Sequence, residues 1–212
     1  MNSKSYNKLV KDFQTGDIVL FNGKYPISKL VEELEHSKWS HVGMVVRPDP
    51  EGEVYFFEST ALTNLADVLE QDHKTGPKLV KLIDRLKTYG ADLVPYVPPV
   101  YAVRPILKHK EVDENKLFEY IKKVHGIPNP SEWKMIEEVI EGRIFSIDSK
   151  SKDYTCSKLI GETLSVLGFY QPIMPLNGLM PMDFSSDSKI KQLSAIWEEE
   201  IYIELEKEEA VG

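Results

Sequence analysis

The 212-residue chain is 42% hydrophobic and 28% charged, the balance of a globular protein long enough to bury a substantial core. Its net charge of −8 and the lack of a basic stripe argue against a protein that grips a phosphate backbone, so no nucleic-acid partner is expected. One cysteine excludes an intrachain disulfide framework and a multi-cysteine zinc site.

The first residues, Met1 to Val10, contain no apolar core of signal-peptide length. No stretch approaches the roughly 20 apolar residues of a membrane span, so the default expectation is a cytoplasmic protein with no integral membrane segment. Residues 4–14 read as a short helix or an extended lead-in. Thr15-Gly16-Asp17 is a turn, and Ile18-Val19-Leu20-Phe21 is a short apolar run of the kind that forms a buried strand. After the Asn22-Gly23 turn, Ile27, Leu30, Val31 and Leu34 recur at helical spacing, with Ser28 near the start.

Residues 39–46 and 53–58 form the clearest local pattern, two strands joined by the turn-rich Arg47–Gly52 loop. If Val46 pairs with Glu53, His41 stands opposite Glu58, with Cβ atoms about 5 Å apart. Residues 62–76 are polar and irregular. A strand over 78–82 and a short helix over 84–89 follow, then a connection stiffened by Pro95, Pro98 and Pro99. Residues 100–105 read as a strand ended by its proline. Asp113 caps a helix that carries Leu117, Phe118, Ile121 and Val124 and stops at Gly126.

Beyond Pro128 and Pro130, residues 132–141 read as a helix with Trp133, Ile136, Val139 and Ile140 apolar, and Ile144–Ile147 as a strand. Leu159, Ile160, Thr163, Leu164 and Leu167 then mark a helix with Cys156 in its first turn, Asp153 and Thr155 as capping types, and Gly168 at its end. A loop rich in Met and Pro occupies 171–182, and 196–205 alternates enough to close a sheet. The last residues, Glu206 to Gly212, are charged and expected to fray. No repeat or linker divides the chain, so 1–212 is read as one domain.

A thiol at a helix N-terminus faces unpaired backbone N–H groups and the positive end of the dipole, and both favour the nucleophilic thiolate. A cysteine nucleophile needs a base, and the base needs an orienting acceptor. His41 and Glu58 on adjacent strands supply the second half of that arrangement and Cys156 the first. Spacing alone leaves a buried cysteine acting as a small hydrophobe, and a hydrogen-bonded structural histidine, as competing readings. His36, His73, His109 and His125 lie in polar or lysine-rich surroundings and read as surface groups. A metal site built from His36, His41 and a carboxylate has no ligand spacing behind it.

Gly16-Asp17-Ile18-Val19-Leu20-Phe21, Ser40-His41-Val42-Gly43-Met44-Val45, Phe57-Glu58-Ser59-Thr60 and Tyr154-Thr155-Cys156-Ser157 resemble, in that order, the circularly permuted NlpC/P60 (permuted papain-fold) proteins, and within them the YiiX/YebB-like branch. The matched motifs span residues 16–168. The resemblance implies an α+β fold in which a curved antiparallel sheet carrying the histidine packs on the cysteine helix. It also implies roles: Cys156 as nucleophile, His41 as general base and acid, Glu58 as the residue that orients the imidazole. The Cys156 backbone N–H is the first oxyanion donor on this reading. Tyr154 and Tyr25 are candidates for the oxyanion site or the pocket. Residues 126–142 are candidates for a lid or pocket wall, and residues 62–76 for an insertion near the site, with the sequence leaving open whether either forms a lid.

Family activity points to a cysteine-dependent amide hydrolase, an amidase or peptidase acting through an acyl-enzyme on a small peptide or amino-acid conjugate, with no cofactor and no metal. One alternative keeps the same site for an acyl-lipid substrate, as an acyltransferase or esterase like the lecithin–retinol acyltransferase group, with the 171–182 loop as the source of an apolar entrance. Another is a non-catalytic binding module with an inert cysteine.

Overall fold

The structure, a computed structural model, describes residues 2–23, 37–92, 99–108 and 110–206. The expected helix over Ile27–Leu34, the candidate Tyr25 and the histidines His36 and His109 lie outside the described residues. In chain order the elements are β1 (Ser3–Ser5), α1 (Tyr6–Leu9), β2 (Ile18–Asn22), β3 (His41–Val46), β4 (Tyr55–Thr60), β5 (Gly76–Lys81), α2 (Leu82–Thr88) and β6 (Val100–Arg104), then α3 (Glu114–Val124), α4 (Glu132–Ile144), α5 (Cys156–Val166), α6 (Lys191–Ser194) and β7 (Ile201–Glu204). Two 3-10 turns, Leu176–Gly178 and Pro181–Phe184, order the Met- and Pro-rich loop. The described residues thus form a mixed α+β fold.

The strands make one seven-stranded sheet in the order β1-β7-β6-β2-β3-β4-β5. Its pairs are antiparallel except β1 with β7. Both faces are covered, which is why β2 reads as an unbroken apolar run. Ile18 and Leu20 turn to one face with Val42, Met44, Phe57 and Leu79, where α3 and α5 pack through Leu117, Ile121, Leu159, Ile160 and Leu164. Val19 and Phe21 turn to the other with Val45, Phe56 and Val80, against Tyr6 and Leu9 of α1 and Leu82 and Leu86 of α2. Pro77 sits in β5, an edge strand, where a missing N–H costs no ladder bond on the open side.

Three sequence expectations need correction. The β3–β4 register pairs Val46 with Tyr55 instead of Glu53. Residues 53 and 54 belong to the connection, and Val54 is spent on the core beneath α2, its carbonyl accepting from Leu82 N–H. A two-residue shift keeps every side chain on its face, so Glu58 and His41 still share one, as diagonal neighbours instead of opposed ones. Second, Ile144–Ile147 is not a strand. The helical ladder of α4 runs on to Phe145 N–H → Glu141 C=O, and Ser146, at φ 55°, turns the chain out. Third, the 196–205 pattern is a strand only over Ile201–Glu204, with Trp197 making a single bridge to Ile106.

Candidate active site

The segment ahead of the cysteine is fixed before the helix begins. Tyr154 N–H donates to Pro128 C=O (3.1 Å), and its own carbonyl accepts from the Ser59 hydroxyl at 2.6 Å. Ser59 lies on the same sheet face as Phe57, so β4 itself holds down the approach to α5. The ammonium of Lys158 donates to the carbonyls of Ser151 (2.8 Å) and Asp153 (2.9 Å). Thr155 is the N-cap, its hydroxyl oxygen accepting from Lys158 N–H. Cys156 is therefore the first helical residue, half-buried, with a backbone N–H that has no partner one turn earlier.

His41 opens β3 on the opposite face of the sheet from α5, so thiol and imidazole meet across the end of the sheet. The ring stacks on Tyr89 (centroids 5.8 Å apart, planes at 20°) and meets the edge of Phe21 at 5.3 Å. Its Nε2 bonds Glu58 Oε2 at 2.7 Å. Glu58 is fully buried, and its other oxygen accepts from Arg85 Nε at 2.6 Å; Arg85, also fully buried, reaches Asn64 Oδ1 with a second nitrogen. Lys78 stands across β5 from Glu58, its ammonium on the carbonyls of Leu62 and Leu65.

Burial alone would push the Glu58 carboxyl upward, but the Arg85 guanidinium and the His41 imidazole hold it below the usual range. An ionised carboxylate only accepts, so Nε2 carries a proton and Nδ1 is left for the thiol. Burial also works against the His41 cation. Cys156 and Glu58 outweigh it and raise the imidazole to about 9. For Cys156 desolvation raises the pKa, while the imidazole and the Val42 backbone amide outweigh it and lower the thiol below its ordinary value. The paired register of β3 with β4 covers Met44 to Val46 and not Val42, so that amide is not spent on β4.

Cys156 and His41 open on a cleft of about 340 Å³ that also takes in Ser59, Thr60, Leu62, Tyr89, Asn129 and Glu132. Of the two candidate stretches, 62–76 reaches the cleft only through Leu62, and 126–142 through Asn129 to Glu132 and Met135. Tyr154 does not: its hydroxyl is held between Tyr120 (3.3 Å) and Glu162 (2.8 Å), and its ring belongs to the core. His125 is half-buried, bonded to Asp72 at 3.0 Å, whereas His73 is exposed as expected. Arg85 escaped notice in the sequence, although it shares the inward face of α2 with Leu82 and Leu86 at helical spacing. A charge on an apolar stripe is the signal that marks it.

No family model matches the chain, and no curated protein matches it. Among solved structures the fold is similar to a crystal structure of the metalloprotein YiiX from Escherichia coli O157:H7, DUF1105, with 22% sequence identity and a TM-score of 0.48 over 73% of this chain and 67% of that one. Among the described residues no group of three or more His, Cys, Asp or Glu side chains is gathered where one metal ion would reach them. Both Glu58 oxygens are hydrogen-bonded, one to His41 and the other to Arg85. No described helix is long and apolar enough to cross a membrane.

Proposed function

We propose that the protein is a thiol hydrolase of the permuted papain-like, NlpC/P60 kind, acting on an amide bond with Cys156 as nucleophile, His41 as base and acid, and Glu58 as the orienting acceptor. The observation that carries this is a helix-N-terminal thiol that lines one cleft with an imidazole whose far nitrogen is fixed at 2.7 Å by a buried carboxylate. The opposed pKa shifts of Cys156 and His41 favour a thiolate–imidazolium pair in the resting site.

The thiolate attacks the carbonyl carbon, and the negative oxygen that develops is met by the Cys156 backbone N–H, which already points out of the first turn. Collapse of the tetrahedral species breaks the carbon–nitrogen bond as the imidazolium gives its Nδ1 proton to the leaving amine. The neutral imidazole then takes a proton from water, whose oxygen attacks the thioester carbonyl. Release of the acid returns the sulfur as thiolate and leaves the proton on His41. Glu58 stays ionised throughout, because Arg85 neutralises it on its other oxygen.

The test is the pH dependence of Cys156 alkylation by iodoacetamide in the wild type and in His41→Ala. A free thiol titrates at about 8.5, whereas a thiolate held by an imidazolium reacts well below that. Fast modification at about pH 6 that is lost in His41→Ala is the expected result. Slow modification of both proteins, with an inflection at or above the free value, would sink the nucleophile assignment.

A further inference from the structure

Adjoining the main cleft, and sharing Ser40, Met135, Thr155 and Cys156 with it, is a second, smaller cavity of about 40 Å³. Met135, Ile136 and Val139 of α4 and Leu179, Met180 and Pro181 line it, together with Ser40, Thr155, Cys156 and Ser157. His41 lines the main cleft and not this slot. Resting on the hydrolase reading above, we infer that this slot receives the acyl portion of the substrate, and that the acyl portion is a short aliphatic group.

The assignment of sides follows from where the proton must go. The leaving amine or alcohol takes its proton from His41, so it departs through the cleft that His41 lines. That cleft exposes the more polar surface, with Ser59, Thr60, Asn129 and Glu132 in its lining, whereas the surface of the slot is almost wholly apolar. What stays on the sulfur as the thioester has to lie where Cys156 is reached without the imidazole, and that is the slot. Its walls offer aliphatic carbon and thioether sulfur, so a charged or strongly hydrated acyl group would lose its water there without compensation. A water occupies about 10–15 Å³ on the same measure of volume, so the slot holds about three waters, or a chain of about three to four carbons.

The slot is a built feature and not a gap awaiting collapse. Gly142 of α4 lies against the Gly178 backbone so closely that a Cβ on either would overlap the other's main chain. Asn177 Nδ2 donates to the carbonyls of Glu138 (2.6 Å) and Ile147 (3.2 Å), and Arg143 pairs with both oxygens of Asp183. These contacts fix the separation of α4 from the Leu179–Pro181 wall. Leu179 in turn is seated on Gly161 of α5, where a Cβ would collide with its Cδ1.

The test uses p-nitrophenyl esters of straight-chain acids from acetate to decanoate, which deliver the acyl group to Cys156 with release of nitrophenolate. Rates are divided by those of a free small thiol with the same ester, and the adduct is located by mass spectrometry. Each methylene that enters the slot should raise the normalised rate about fourfold. The expected profile climbs to butyrate or valerate and then falls. In Ile136→Ala, which lengthens the slot, the maximum should move to a longer chain; in Val139→Phe, which fills it, the butyrate-to-acetate ratio should drop toward one. A profile that is flat, or that keeps rising through decanoate, overturns the slot assignment while leaving the nucleophile in place. Failure of every ester to acylate Cys156 faster than the free thiol overturns the hydrolase reading and this inference together.

Discussion

The Glu58 carboxylate has no access to water, and its oxygens are divided between Arg85 and His41. A guanidinium suits the inner position because it remains charged when buried, where a lysine ammonium titrates more readily. The next bond along has a measurable consequence. The imidazole pKa is raised from 6.5 to about 9, so its contribution to stability is complete below 6.5 and is lost as pH rises through 9. The thiol pKa is lowered from 9.0, so its contribution is complete above 9.0 and is lost as pH falls. The slopes are opposite. Where they overlap, folding moves a proton from sulfur to nitrogen and takes up none, and the pair leaves stability flat. Cys156→Ala removes the thiol's slope and the first of the two partners that raise the imidazole, leaving Glu58 alone to hold His41 as a cation against burial. The gap in Tm between wild type and Cys156→Ala should widen from about pH 6 to about pH 9. A constant gap would mean that Glu58 alone does not keep the imidazole charged and that the thiol is the partner that raises it.

At the scale of elements, α4 and α5 meet the sheet end in different ways. Helix α5 is held by its cap, by Lys158 and by a buried apolar stripe, and the stripe made it plain in the sequence. Helix α4 is held chiefly along one line, where Gly142 touches Gly178 and Arg143 reaches Asp183. In an open helix Gly→Ala would gain about 1 kcal/mol. At Gly142 the new methyl meets backbone, which cannot rotate aside, and overpacking of that kind costs about 1–3 kcal/mol. Gly142→Ala should therefore lower the urea midpoint despite the better helix former, and a raised midpoint would show that the two walls can slide apart freely. The same contrast explains what was legible. Periodicity exposed the β2 run, the β3–β4 pair, α3 and α5, and capping types placed Cys156 at a helix start. The β3–β4 register was not legible, because a two-residue shift leaves the face pattern unchanged. Nor was the end of α4: Trp133, Ile140, Ile144 and Phe145 are exposed, so their apolar character carried no information about burial. The partners of Arg85 and the two adjoining cavities at Cys156 depend on contacts between segments far apart in the chain, and no local pattern records them.

Across the whole molecule, β2 links the chemical end of the sheet to its opposite end. Phe21 pairs with His41 at one end, and Asp17 precedes Ile18 at the other, about 13 Å away along the strand. Asp17 is buried and joins remote parts of the chain: one carboxylate oxygen accepts from Ile106 N–H (2.9 Å) and the other from Gln14 N–H (3.0 Å). Its backbone carbonyl accepts from Val45 N–H, and the neighbouring Gly16 carbonyl accepts from the Trp197 indole. Desolvation outweighs the two amides and raises the carboxyl from 3.8 to about 7. A raised carboxyl pKa means that the folded state holds a proton the unfolded chain has lost. The stabilisation is complete below about 3.8 and declines as pH climbs through about 7. Asp17→Asn cannot titrate and so should lack that decline, even if the amide loses one hydrogen bond at every pH. The measurement is the urea midpoint of both proteins at about pH 5 and about pH 8, with Cys156 alkylation followed in parallel. The wild-type midpoint should fall more than that of Asp17→Asn between the two pH values, while alkylation is the same in both, because the strand's far end lies outside the thiol's field. Equal falls would place the pH dependence elsewhere and show Asp17 to be ionised in the fold. A change in alkylation would show that the two ends of the sheet are coupled.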